Sequence, residues 1–145
     1  MSRRVVFDTE AVVAFLYGES GHAEVADLLA TVGDGTAEGR LAAINASEVF
    51  YLVARLEGDD ERPTDASLRA ADRDVRALER RGLSIERADW RLAGEVKAAG
   101  DISLADACAV ALAHEHDAAL VVGGDDDFAE LPVEVELLRF RDGPG

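Results

Sequence analysis

One cysteine and one lysine in 145 residues are the plainest shortages of this chain. Cys108, standing alone, excludes an internal disulfide and offers no second thiol for a zinc pair. No apolar run approaches the roughly 18 to 20 residues that cross a bilayer, and Met1 to Arg4 leads into a strand too short for the core of a signal peptide. The expectation is a soluble, cytoplasmic protein with no membrane partner. Positive charge is scarce too: 15 Lys and Arg face 30 Asp and Glu, for a formal net charge of −15, and Lys97 is the lone lysine. Such a chain can hold a nucleic acid only through a local basic patch or through metal ions. So acidic a surface suits a salt-rich cytoplasm like that of halophilic microbes, where screening shortens the reach of repulsion.

What the chain does have is apolar material for a core. Hydrophobic residues make up 48% of it, enough for one globular domain across residues 1–145. The run Val5-Val6-Phe7 has the unbroken apolar character of a strand buried on both faces, and Glu10 to Tyr17 reads as the helix that follows. A second helix is expected over His22 to Val32, a glycine-rich loop over 33–39, a strand over Arg40 to Ile44, and a helix capped by Asn45 and running to about Leu56. Beyond the charged break at 57–63 come a helix from Thr64 to Arg81, a strand at 83–86, helices over 89–99 and 103–116, and a strand at 119–122. A helical turn or two over 125–131 and a last strand from Val133 to Phe140 complete the series. Strands alternating with helices predict an α/β fold of three layers, a mainly parallel central sheet flanked by helices.

Four carboxylates stand out by position. Asp8 closes the first strand, and Asp125 follows Leu120-Val121-Val122 in the same way. Glu48 is the only charged residue between Leu41 and Ala54, and Asp106 the only one between Ile102 and Ala113. An uncompensated buried charge costs on the order of several kcal/mol, so acids in such surroundings must be paired, protonated or bound to a cation. Parallel strands would gather the acids that follow them at one sheet edge, the usual ligand side of an α/β fold, with Asp106 brought over by its helix. Hard cations such as Mg²⁺ and Mn²⁺ choose carboxylate oxygen, and two of them about 3.5 to 4 Å apart support phosphodiester cleavage. A plainer reading stands beside this one. Asn45 to Glu48 and Ser103 to Asp106 match capping boxes, Asp8 could be an N-cap, and Asp125 is one of three adjacent acids. Capping leaves the apolar surroundings unexplained, which favours a site.

With Asp8, Glu48, Asp106 and Asp125 in this order, the chain resembles the PIN-domain ribonucleases over nearly its whole length, especially the compact VapC-type toxins of prokaryotic toxin–antitoxin pairs. Val6-Phe7-Asp8-Thr9 is similar to the family's opening motif and Asn45-Ala46-Ser47-Glu48 falls where its helix-borne Glu lies. Ser103 to Ala107 is similar to its Asp-Ala helix, and Val121 to Phe128 to its late acidic motif. The resemblance implies a Mg²⁺- or Mn²⁺-dependent endoribonuclease, often a homodimer, that cuts an RNA substrate and is inhibited by a cognate antitoxin protein. It also implies that Asp8, Glu48 and Asp106 hold the principal metal and that Asp125 assists it or a second ion. The chain departs from the pattern in two places. Gly123 stands where a Ser or Thr is usual, and Glu10 replaces a small polar residue, adding a fifth acid near Asp8; Asp127 could share the role of Asp125.

Other features have competing readings. Arg69, Arg73, Arg76 and Arg80 recur at helical spacing, either as a contact for an RNA backbone or as a solvated face paired with Asp65, Asp72 and Glu79. The opening Asp8-Thr9-Glu10 also resembles that of haloacid-dehalogenase-like phosphatases, with Asp8 as nucleophile; their phosphate-steadying lysine could only be Lys97. A third alternative is a non-catalytic domain of the PIN fold that binds RNA or protein.

Overall fold

The structure, a computed structural model, describes residues 3–124, 128 and 130–141. Among these residues the elements run β1 (Arg3–Phe7), α1 (Thr9–Tyr17), α2 (His22–Gly33), β2 (Ala37–Ala42), α3 (Ala43–Leu56) and α4 (Asp65–Arg80). Then come β3 (Ser84–Glu86), α5 (Trp90–Ala99), α6 (Leu104–Glu115), β4 (Ala119–Val122) and β5 (Leu137–Arg139). The strands form one sheet in the order β3-β2-β1-β4-β5, and all four pairings are parallel.

β1 lies in the middle of this sheet because its side chains suit burial on both faces. Val5 and Phe7 point into one core with residues of α1, α2, α3 and α4, while Val6 points into the other with residues of α5 and α6. β4 alternates likewise, Ala119 and Val121 on the first side and Leu120 and Val122 on the second. The three expected layers are therefore present. No helix among the described residues is long and apolar enough to cross a membrane.

Several boundaries differ from those expected. The loop at 33–39 is shorter, because Ala37 to Gly39 pair with Arg3 to Val5 and so belong to β2. α3 begins at Ala43, directly after β2, so Asn45 lies inside the helix instead of capping it. The last strand covers only Leu137–Arg139, facing Leu120 to Val122; Glu136 still accepts from the Leu120 N–H at 2.8 Å, and β4, which begins at Ala119, offers no partner in this register for Val133 to Val135. Trp90 begins α5 after an Asp89 cap, and Thr64 and Ser67 cap α4 reciprocally.

Candidate active site

Parallel pairing decides where the site lies. Phe7 is in register with Leu41 of β2 and Val121 of β4, so the residues after all three strands meet at one edge. Asp8 is the first residue past β1. Its backbone N–H donates to the Val121 carbonyl at 3.2 Å, continuing the sheet one step beyond the strand. Its side chain then turns back to cap α1, Oδ1 accepting from the Ala11 N–H at 2.7 Å. The cap and the candidate site are thus the same carboxylate. Only 2% of Asp8 is exposed. Burial pushes its pKa up to about 8; the Ala11 hydrogen bond opposes this, the charges of Asp106 and Glu10 add to it, and Arg141 opposes it.

Glu48 lies in the second turn of α3, and no capping box forms there, since Ala42 caps the helix without a side-chain bond. Its Oε1 instead accepts from the Thr9 hydroxyl at 2.6 Å. Thr9 Oγ1 in turn accepts from Asn45 Nδ2 at 2.9 Å, and the same amide reaches the Ala105 carbonyl at 3.4 Å. Because the amide already donates to Thr9, the hydroxyl proton is left for Glu48, and the three groups form a directed relay. Asn45 is fully buried, and its Oδ1 has no hydrogen-bond partner among the described residues.

Asp106 is carried by the first turn of α6, where its N–H donates to Ser103 Oγ at 3.1 Å. α6 packs against β1, β2 and α3, and the Asn45–Ala105 contact ties its first turn to that of α3. Thr9, next to Asp8, is thus bonded to Glu48 and Asn45, and Asn45 to the backbone of the residue before Asp106. As the side chains stand, no three Asp, Glu, His or Cys residues among those described are close enough together to hold an ion. Glu48 is turned toward Thr9 and Glu10 toward Arg141. Asp125, the fourth expected member, lies outside the described residues, as does Asp127.

Arg141 is not singled out by the sequence, and Thr9 is marked there only as the last residue of the opening motif. Asn45 reads as a cap by residue type, and its place in an apolar stretch is the signal for a buried polar role. Arg141 follows β5, pairs with Glu10 and lies 3.3 Å from Glu19, while its Nε donates to the Ser20 carbonyl at 2.8 Å.

The remaining candidates are plainer. On α4 the four arginines are exposed, with Arg76 bonded to both Asp72 oxygens at 3.0 Å and Arg73 lying 4.0 Å from Asp74. This favours a solvated, ion-paired face. Lys97 is exposed in the last turn of α5. Phe50 packs on the core, and Tyr51 is exposed with Arg55 over its ring at 4.9 Å. Cys108 is half-buried, and that burial raises its thiol pKa.

A family model described as PIN domain matches residues 5–134. No curated protein matches the sequence. Among solved structures, VapBC2 from Rickettsia felis, bound to a DNA fragment from their promoter, is 16% identical at a TM-score of 0.67, covering 94% of this chain and 98% of that one. DNA-bound VapBC from Salmonella typhimurium is 13% identical at 0.67, covering 97% and 99%. A toxin-antitoxin complex from Klebsiella pneumoniae is 16% identical at 0.59, covering 94% and 97%. At these identities the likeness shows a shared fold.

Proposed function

The chain belongs to the PIN-domain family, and from that premise we propose that it is a Mg²⁺- or Mn²⁺-dependent endoribonuclease, the toxin of a toxin–antitoxin pair. The observation that supports this reading is the buried Asp8 at the carboxyl edge of a parallel sheet, followed by Thr9, which is hydrogen-bonded to Glu48 and to an Asn45 that reaches the carbonyl of the residue before Asp106. The donor set suits a hard cation, because the groups facing this region are oxygen donors. Two of its features call for a positive partner or a hydrogen-bond donor: a carboxyl buried to 2% exposure and a buried amide oxygen without a partner among the described residues.

In this reading Asp8, Glu48 and Asp106 hold the ion, and Asp125 assists. The ion would supply Lewis acidity toward the scissile phosphate and an acidified water as nucleophile. The chain's own part is positional. Asp8 is fixed by its cap and by the sheet, and the Asn45–Thr9 relay orients the Glu48 carboxylate. The neighbour from Klebsiella pneumoniae is a toxin-antitoxin complex, which supports a cognate antitoxin as partner here; a homodimer in the cytoplasm completes the proposal.

The test is incubation with structured RNAs in molar KCl, with Mn²⁺ or Mg²⁺ and with EDTA. Cleavage that needs the ion and disappears in Asp8→Asn and Asp106→Asn is expected. Intact RNA under every ion condition would overturn the nuclease reading, and chelator-insensitive RNA binding without turnover would point to the non-catalytic alternative. A phosphatase activity requiring Lys97 would point to the haloacid-dehalogenase-like one.

A further inference from the structure

The two departures from the motif pattern, Glu10 and Gly123, meet in space. A Cβ at position 123 would lie 2.6 Å from Glu10 Oε1 and 2.9 Å from Oε2, closer than real contacts allow. The volume any side chain there would need is thus filled by a carboxylate from the first turn of α1. That carboxylate is ion-paired with Arg141, which also contacts Glu19 and the Ser20 carbonyl and stacks 4.9 Å above the Phe140 ring. The C-terminal segment is held in turn: the Phe140 N–H donates to the Val122 carbonyl at 2.9 Å, and Arg139 Nη1 donates to the Gly123 carbonyl at 3.2 Å. With so many partners, the Arg141 side chain is only 24% exposed.

We propose that Gly123, Glu10 and Arg141 form a built-in counter-ion device. Glu10 occupies the slot left open by Gly123 and positions the Arg141 guanidinium beside the acidic site as a resident cation, against which a divalent ion binds in competition. The proposal rests on the reading of the site as a metal centre. Its physical basis is that Glu10 lies two residues from the buried Asp8 in the first turn of α1, so the guanidinium paired with it holds a positive charge at the end of the sheet where the site's acids lie. Arg141 reaches that end of α1 from the segment after β5, which is fixed to β4 by the Phe140–Val122 bond. A charge-assisted pair of this kind is stronger than a neutral hydrogen bond. It keeps the metal-free site folded while opposing the entry of a second positive charge.

Two measurements test the proposal. In the first, Mn²⁺ is titrated into the full-length protein and free Mn²⁺ is read by electron paramagnetic resonance, for wild type, Arg141→Gln and Arg141→Lys. Arg141→Gln is expected to bind Mn²⁺ roughly tenfold tighter, a size set by one unit charge at short range in a partly screened medium. Arg141→Lys, which keeps the charge, is expected to return most of the way to wild type. In the second, thermal melts in EDTA follow a double-mutant cycle of Glu10→Ser and Gly123→Ser. Gly123→Ser is expected to lower the melting temperature by about 3 to 6 °C in the wild-type background and to have little effect when Glu10 is replaced. Mn²⁺ binding by Arg141→Gln that equals or falls below wild type would overturn the proposal, and so would additive melting effects. If wild type binds no Mn²⁺ at all, the metal-centre reading itself fails, an outcome distinct from equal binding by both proteins.

Discussion

Thr9 and Glu48 are joined by a 2.6 Å hydrogen bond although 39 residues separate them in the chain. The bond links the first turn of α1 to the second turn of α3, and Asn45 completes it from the other side at 2.9 Å. Thr9→Val keeps the shape of the side chain but removes both the donor for Glu48 and the acceptor for Asn45. Loss of such an orienting group costs about 10- to 100-fold in metal affinity, so Mn²⁺ titration of Thr9→Val should show a decrease on that scale. Thr9→Ser, which keeps the hydroxyl, should stay close to wild type.

Asp8 gives the metal-free protein a defined pH dependence. Its carboxyl is pushed up to about 8 in the folded state from an ordinary value of 3.8. The folded protein therefore holds this proton more firmly than the unfolded chain does, and the associated stability is fully present below about pH 4. It is lost progressively as the pH rises toward about 8. Melting curves in EDTA across that range should decline with pH, and Asp8→Asn should flatten the decline. Mn²⁺ binding should strengthen over the same interval, since the ion must displace the proton.

Removing a carboxylate while preserving its shape tests the chemistry. Asp106→Asn should keep the cap at Ser103, which uses the backbone N–H of residue 106. RNA cleavage should fall by about 100-fold or more, the scale on which a group acting on transition-state charge contributes. Far-ultraviolet circular dichroism would confirm the fold, and product gels would measure the rate. EDTA should abolish cleavage by the wild-type protein, and added Mn²⁺ should restore it.

A formal net charge of −15 predicts a response to salt. At low ionic strength the acidic surface repels itself, and raising KCl from about 0.1 M to 1 M shortens the Debye length from about 10 Å to 3 Å. The melting temperature should rise by several degrees over that range. A fall would mean that exposed pairs such as Arg76–Asp72 and Arg91–Glu95 outweigh the net repulsion.

The parts legible in the sequence were those whose cause is local. Val5 to Phe7 and Ala119 to Val122 are unbroken apolar runs because they are buried on both faces, so their positions in the sheet could be read directly. Ala37 to Gly39 carry no such pattern, and they become strand only because Arg3 to Val5 lie alongside. Asn45 looked like a helix cap by residue type, yet its amide is drawn to Thr9 and Ala105, contacts set by how α1, α3 and α6 pack. No residue near Arg141 hinted that it would return across 131 positions to Glu10. Each departure seen in the sequence, Glu10 and Gly123, looked like a separate defect; the coordinates show them as the two sides of one contact.

The place of β1 between β2 and β4 has a consequence for biosynthesis. β1 needs as its neighbour the segment 119–122, which leaves the ribosome long after it. Until then Asp8 has one flank open to water, and the bond from its N–H to Val121 cannot form. Pairing over so long a loop is slow compared with helix formation. A nascent chain thus carries Asp8 well before β1 can pair with β4, and the order of translation leaves that sheet edge unfinished until 119–122 has been made.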